Sequence, residues 1–344
     1  MSTGGIDIFG LLFIPTWVAV LGLGVFTWLN SAAILVYAER RIAGLIQNRV
    51  GPNRTGPAGL LQPVADVLKL LLKEDVTPSQ GFKTIHTIAP LIPVITAFMS
   101  VALIPFGENI YVTDINGGVL FILAIASLGV YGVTLAGWSS NSKYSLLGGL
   151  RAAAQMISYE LPMGMAVASV VLVAGSLSLV EIAASQEFLW NAFINPIGAI
   201  IFIIAAFAEA NRTPFDLVEA EQELVGGFHT EYSGMKFGMF FLAEYMHVFI
   251  GSVLITTFFF GSYHLPFAGY WLPELSPMVK GILDVSVFMG KVMFWCFVFI
   301  WVRWTIPRFK FNQVMKLGWG RLLPLSILNF VLIALGMYAY THWL

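Results

Sequence analysis

Cysteine, charge and nucleotide-binding signatures are what this sequence has least of. Its 344 residues include one cysteine, Cys296, and five histidines. A single thiol inside the apolar run Met293–Ile300 excludes a disulfide framework, a cysteine-held zinc site and an iron–sulfur cluster, and reads as a small core hydrophobe. No Gly-x-Gly-x-x-Gly follows a strand, and neither a phosphate-binding loop nor a His-Glu-x-x-His occurs. No metal site is expected, and any redox cofactor belongs to a partner. Charged residues make up 11% of the chain, against about 25% in soluble domains, so ionised groups cannot cover a globular surface. Met1–Gly10 lacks a basic stretch, and no cleavable signal peptide is expected.

What is present is apolar and long. The chain is 58% hydrophobic with a mean hydropathy of +0.82. A bilayer core of about 30 Å needs about 20 apolar residues as helix, because lipid offers an open strand edge no hydrogen-bond partners. Eight segments qualify, at approximately 12–38, 86–106, 118–138, 156–180, 192–210, 236–261, 282–302 and 322–342. The expectation is an all-α polytopic membrane protein, a single membrane domain over residues 1–344 with about eight transmembrane helices.

The basic residues orient it. Arg40, Arg41, Arg49, Arg54, Lys69, Lys73 and Lys83 follow the first span; Lys143 and Arg151 follow the third; Arg212 and Lys236 follow the fifth. Arg303, Arg308, Lys310, Lys316 and Arg321 follow the seventh, leaving only Lys280 and Lys291 of the 18 lysines and arginines elsewhere. By the positive-inside rule the odd-numbered loops face the cytoplasm or matrix, and both termini lie outside. Polar content on the inner face suggests that the work is done there.

Four features carry that content. In the first inner loop, Gly51-Pro52-Asn53 and Gly56-Pro57 set compact turns, and Val64, Val67, Leu68, Leu71 and Leu72 then repeat at helical spacing. This predicts an interfacial amphipathic helix, on which Asp66 and Lys69 are i,i+3 neighbours able to pair. The fifth-loop region crowds Asp216, Glu219, Glu221, Glu223 and Glu231 beside Arg212. Close carboxylates raise one another's proton affinity, so this is a proton reservoir or a solvated acidic loop. Inside the spans lie Glu160, Glu209 and Glu244 on three helices, with His247 i,i+3 from Glu244 and Asp284 i,i+7 from Lys291. The three carboxylates suit a proton path; His247 reads as a packing histidine, and Asp284–Lys291 as a structural ion pair or two interface residues. The last inner loop mixes Arg303, Arg308 and Lys310 with Trp304, Phe309, Phe311 and Trp319. Beside a membrane this favours lipid headgroups or a polar-headed aromatic ligand, and no nucleic-acid partner is expected.

The motifs AERRIAGLIQNRVGPNRTGPAGLLQPVADVLKLLLKE, SYELPMG, AEANRTPFDLVEAEQELVGGFHTEYSG, FLAEY and RWTIPRFKFNQVMKLGW touch all four inner loops and several spans. In them the chain resembles the H subunit of the proton-translocating NADH:quinone oxidoreductase, respiratory complex I, known in mitochondria as NADH dehydrogenase subunit 1. The resemblance implies a membrane-arm component of the bacterial inner membrane, or of the mitochondrial inner membrane. It also implies peripheral-arm subunits that complete a quinone chamber, small and antiporter-like membrane subunits as neighbours, and surrounding lipid. Quinone would be the substrate, with flavin and iron–sulfur clusters held in partner subunits. Carried onto this chain, Arg40, Arg49, Asp66, Lys69, Phe241, Tyr245, Arg303 and Arg308 would line or flank the quinone passage. Asp216, Glu219, Glu221 and Glu223 would flank the chamber, and protons would pass along Glu219–Glu209–Glu160–Glu244, an order the sequence does not fix. Three readings compete: a proton-coupled carrier, a passive scaffold and the equivalent component of a membrane-bound hydrogenase. A carrier predicts matching proline-broken halves, whereas only Pro162 is found.

Overall fold

The structure is a computed structural model that describes residues 5–8, 12–218, 221–266 and 276–343. A short antiparallel pair, Gly5–Ile8 with Leu12–Pro15, precedes the helices. The long helices are α1 (Thr16–Ile46), α2 (Gln62–Leu72), α3 (Lys83–Leu103) and α4 (Gly118–Ser139). They continue with α5 (Lys143–Ala174), α6 (Pro196–Glu209), α7 (Gly234–Phe259), α8 (Pro277–Thr305) and α9 (Phe311–His342).

Among the described residues, six helices are long and apolar enough to cross a membrane: α3, α4, α5, α7, α8 and α9. The other two expected spans differ from that set. The 31-residue α1 starts at Thr16, after the strand Leu12–Pro15, and its charges Glu39, Arg40 and Arg41 lie beyond the expected span. The 14-residue α6 rises only about 21 Å, short of the hydrocarbon core. Its expected span breaks at Asn195, whose side chain caps the helix by accepting from the Gly198 N–H at 2.9 Å and donates to Ser169 Oγ at 2.6 Å.

Boundaries shift where charge marks an expected end. The fourth span begins at Lys143 rather than 156, because Arg151 is carried on the helix and ion-paired to Glu223 at 2.6 Å. The eighth begins at Phe311 rather than 322, passing Lys316 and Arg321 through a π turn at Gly318–Leu322. Basic residues expected in loops therefore ride on helices that extend beyond the expected apolar spans.

Helix α7 is the axis of the bundle. Of its apolar stretch 67% is buried, against 17% for α9. Trp28 of α1 meets Phe249 edge-on at 4.9 Å, Phe202 of α6 meets Phe258 at 5.6 Å, and Phe207 stacks on Phe299 of α8 at 4.0 Å. Small residues let the neighbouring helices close up, as membrane packing requires. A Cβ on Gly137 of α4 would lie 2.5 Å from the Ser145 carbonyl oxygen and 3.1 Å from Gly149 Cα of α5. Cys296 is buried, its Sγ 3.3 Å from Ser252 Oγ.

The expected amphipathic helix is α2. None of its residues is buried, and Val64, Val67, Leu68, Leu71 and Leu72 are exposed on it, while Leu70 packs towards Gly238 of α7.

Candidate functional site

The inner ends of α1, α7 and α8 and the segment after α6 meet in a buried charge cluster. Glu39, 6% exposed on α1, faces Arg212 Nη1 at 3.2 Å and Arg303 Nη1 at 2.5 Å. Arg212, 3% exposed, faces Glu244 at 2.7 Å through Nε and lies over the Tyr245 ring with its guanidinium carbon 4.3 Å from the centroid. Burial works against the Arg212 charge, but Glu244 and Glu39 more than offset it, so its proton affinity ends above the ordinary arginine value. One cation thus ties a carboxylate of α1 to a carboxylate of α7. Leu35, Glu39, Arg212, Tyr245, Phe299 and Arg303 border a narrow cavity of about 10 Å³ there.

A second set of carboxylates lies alongside. Glu160 of α5 accepts a hydrogen bond from Ser127 of α4. With Glu209 at the end of α6 it lines a narrow cavity of about 10 Å³, walled by Met156 and Met163. Glu209 also lines a larger cavity of about 50 Å³, which it shares with Glu244, His247, His229 and Phe241. The cavities therefore run Glu160, Glu209, Glu244, and Arg212 carries the sequence on to Glu39 and Arg303. In the expected proton order Glu160 stands between Glu209 and Glu244, whereas Glu209 is the residue that the two cavities share. Three helices converge on these spaces, so only tertiary packing defines the order.

The remaining candidates distribute as follows. Asp216 pairs with Arg308 at 2.6 Å, tying the fifth loop to the seventh. Glu223 is held by Arg151 at an exposed position, away from the cavities. Glu219 lies outside the described residues, and Glu221 opens the short helix Glu221–Leu224. In the first loop Asp66 pairs with Arg40 at 2.6 Å and accepts from Gln62 at 3.1 Å, whereas the expected partner Lys69 is exposed and makes no ion pair among the described residues. Arg49 is exposed, donating to Gln47 at 2.6 Å. Phe241 and Tyr245 of α7 meet edge-on at 5.0 Å, so the larger cavity and the charge cluster share a wall.

The expected Asp284–Lys291 ion pair does not form. The Lys291 ammonium donates to the carbonyls of Phe260, Ser262 and His264 at 2.8, 2.9 and 2.6 Å, capping the end of α7, and sits over the Trp190 ring. Asp284 instead faces the Glu108 backbone N–H at 3.5 Å. The sequence shows i,i+7 spacing on one helix but not the chain reversal that presents three bare carbonyls to Lys291. His247 lines the cavity shared by Glu209 and Glu244 and lies close to Gly129 of α4.

Glu39 is the functional residue that sequence reasoning misses. It stands before Arg40 and Arg41, where local charge suggests a solvated basic stretch. Its arginine partners are 173 and 264 positions away. The usable signal is its place at the end of an apolar run, which puts a carboxylate at the membrane boundary.

A family profile described as NADH dehydrogenase matches residues 18–334. The chain is similar to the H subunit of the NADH-quinone oxidoreductase of Salinibacter ruber, 58% identical over 332 residues that cover 92% of this chain and 96% of that one. It is also similar to NADH-quinone oxidoreductase subunit 8 of Rhodothermus marinus, 57% identical over 335 residues, 94% of this chain and 98% of the other. The corresponding H subunit of the NADH-quinone oxidoreductase of Leptospira biflexa is 44% identical over 352 residues, 95% and 97% of the two chains.

Proposed function

Because the chain belongs to the NADH dehydrogenase family, with H subunits of NADH-quinone oxidoreductase among its relatives, we propose that it closes a quinone chamber against peripheral-arm subunits and couples quinone reduction to proton movement. Its setting is a bacterial-type inner membrane, both termini outside. Flavin and iron–sulfur chemistry belongs to partner subunits, and small and antiporter-like membrane subunits lie alongside.

The shared cation carries this reading. Quinone reduction takes up two electrons and two protons, so a step in which electrons lead leaves transient negative charge at the inner face. Arg303 at the end of α8, Arg308 just after it and the Arg40–Asp66 pair between α1 and α2 stand on the face that would meet the quinone. Negative charge there draws Arg303 from Glu39; Arg212 then shifts its share towards Glu39, and Glu244 loses cation and gains proton affinity. Glu244, Glu209 and Glu160 border two cavities that meet at Glu209, so a proton taken up at one is within reach of the next. Ser127, bonded to Glu160, is a hydroxyl able to relay it. Phe241 and Tyr245 wall the passage and keep the arginines out of bulk water, where their attraction would fall severalfold.

The test is Glu160→Gln in inverted membrane vesicles, measuring protons translocated per NADH oxidised. Electron transfer to quinone should persist while pumping is lost. Normal pumping per electron would exclude Glu160 from the path.

A further inference from the structure

The end of the last inner loop forms a groove that the proposed function does not use. Phe309, Gln313, Lys316, Leu317 and Arg321 line a groove of about 330 Å³ at the start of α9. The opposite side of the same stretch is pinned to α5. Tyr159 donates to the Val314 carbonyl at 3.0 Å, Trp319 Nε1 donates to Ser158 Oγ at 2.9 Å, and Val314, Gly318 and Leu322 are buried. The groove therefore faces outward on a fixed segment.

Its two cations are brought together by the π turn. Five residues of ordinary α-helix rotate by about 500°, which would leave Arg321 about 140° away from Lys316. The wider turn at Gly318–Leu322, closed by the Leu323 N–H on the Gly318 carbonyl, swings Arg321 back towards the side of Lys316. Neither Lys316 nor Arg321 makes an ion pair among the described residues, in a chain whose other inner-loop arginines are largely paired. From Arg321 an exposed apolar stripe runs down α9 through Leu325, Leu328, Leu332 and Leu335, at i+4, i+7, i+11 and i+14.

Two unpaired cations above an apolar groove and a leucine stripe match one kind of molecule, with a negative head and long apolar tails. We propose that this groove binds an anionic phospholipid, its phosphodiester between Lys316 and Arg321 and its acyl chains along the stripe. A free phosphate would leave the stripe without a role, and a zwitterionic headgroup would bring a cation towards the two bases.

The experiment uses the intact complex purified in mild detergent and washed of lipid, titrated with dioleoylphosphatidylglycerol and read by native mass spectrometry. Dioleoylphosphatidylcholine and inorganic phosphate are the comparison arms. Lys316→Gln with Arg321→Gln should weaken binding of the tightest phosphatidylglycerol roughly 30-fold, from two basic contacts each worth about fivefold at an anionic surface. The charge-keeping pair Lys316→Arg with Arg321→Lys should retain it, and phosphatidylcholine uptake should not change. In the otherwise native chain a benzophenone side chain at Leu325 should capture phospholipid, an arm that holds even if the neutral variant fails to assemble. Wild-type affinity in the neutral variant, equal competition by inorganic phosphate, or capture of a neighbouring protein would overturn the proposal.

Discussion

Replacing Arg212 by leucine removes the cation shared by Glu39 and Glu244 and leaves a side chain able to fill much of the space. Glu39 keeps Arg303 at 2.5 Å, and Glu244 loses the guanidinium it faced at 2.7 Å. Breaking a buried pair from one side costs about 3–5 kcal/mol when the remaining charge has no escape. A carboxylate has one: it takes up a proton, which from an ordinary pKa of about 4.3 costs about 1.4 kcal/mol per pH unit, or about 3.7 kcal/mol at pH 7. The smaller figure sets the penalty, and it carries a sign. The folded variant binds a proton that the unfolded chain releases, so its stability falls as pH rises. Arg212→Leu should therefore lose about 3–4 kcal/mol at pH 7 and about 1.4 kcal/mol less at pH 6. Melting of the detergent-solubilised complex at both pH values would measure this, with Glu244→Gln added to Arg212→Leu recovering most of the loss. A variant as stable as the parent at pH 8, or a double variant worse than the single, would refute the shared-cation argument.

Three further outcomes follow from the same geometry. Gly148→Ala places a Cβ 2.6 Å from the Phe228 backbone nitrogen and 2.8 Å from Gly227, so it should displace the end of the acidic loop at a cost of about 1–3 kcal/mol. Quinone reductase activity should fall although no acid is altered, whereas alanine at Gly164, where nothing lies within 4 Å, should leave activity unchanged. Lys291→Met should cost about 2–3 kcal/mol in thermal unfolding, because three carbonyls lose a charged donor, and Asp284→Asn should not reproduce the effect. The pKa of His264 is lowered, first by burial and also by Lys291, against the pull of Glu187. The unfolded chain therefore binds more protons between the lowered value and about 6.5, stability rises with pH through that window, and His264→Asn should flatten the slope in melts between about pH 5.5 and 7.5.

The helices are legible in the sequence because membrane crossing imposes length and apolarity on each one separately. Their ends are not, where a charge sits on a helix that extends beyond the expected apolar span, as Arg151 and Arg321 do. The acids Glu160, Glu209 and Glu244 are visible because ionisable groups in apolar runs are conspicuous whatever the fold. Their order along the cavities is hidden, since it depends on how α5, α6 and α7 pack. Glu39 and Lys291 mark the same limit: each is defined by partners that only chain reversal supplies, two arginines in one case and three carbonyls in the other. Local spacing suggests Lys69 for Asp66 and Asp284 for Lys291, and in both cases a more distant group wins.

Glu39 stands between two guanidinium groups, one on α8 and one in the segment after α6, and that makes the arrangement reciprocal. Coupling free energy is the same read from either end. If withdrawing Arg303 from Glu39 raises the proton affinity of Glu244, then protonating Glu244 frees Arg212 towards Glu39 and slackens the hold on Arg303. A relay built this way has no preferred direction of its own. A proton gradient could act on the last inner loop by the same contacts through which that loop acts on protons, and the direction of travel would be set by whichever side is better supplied.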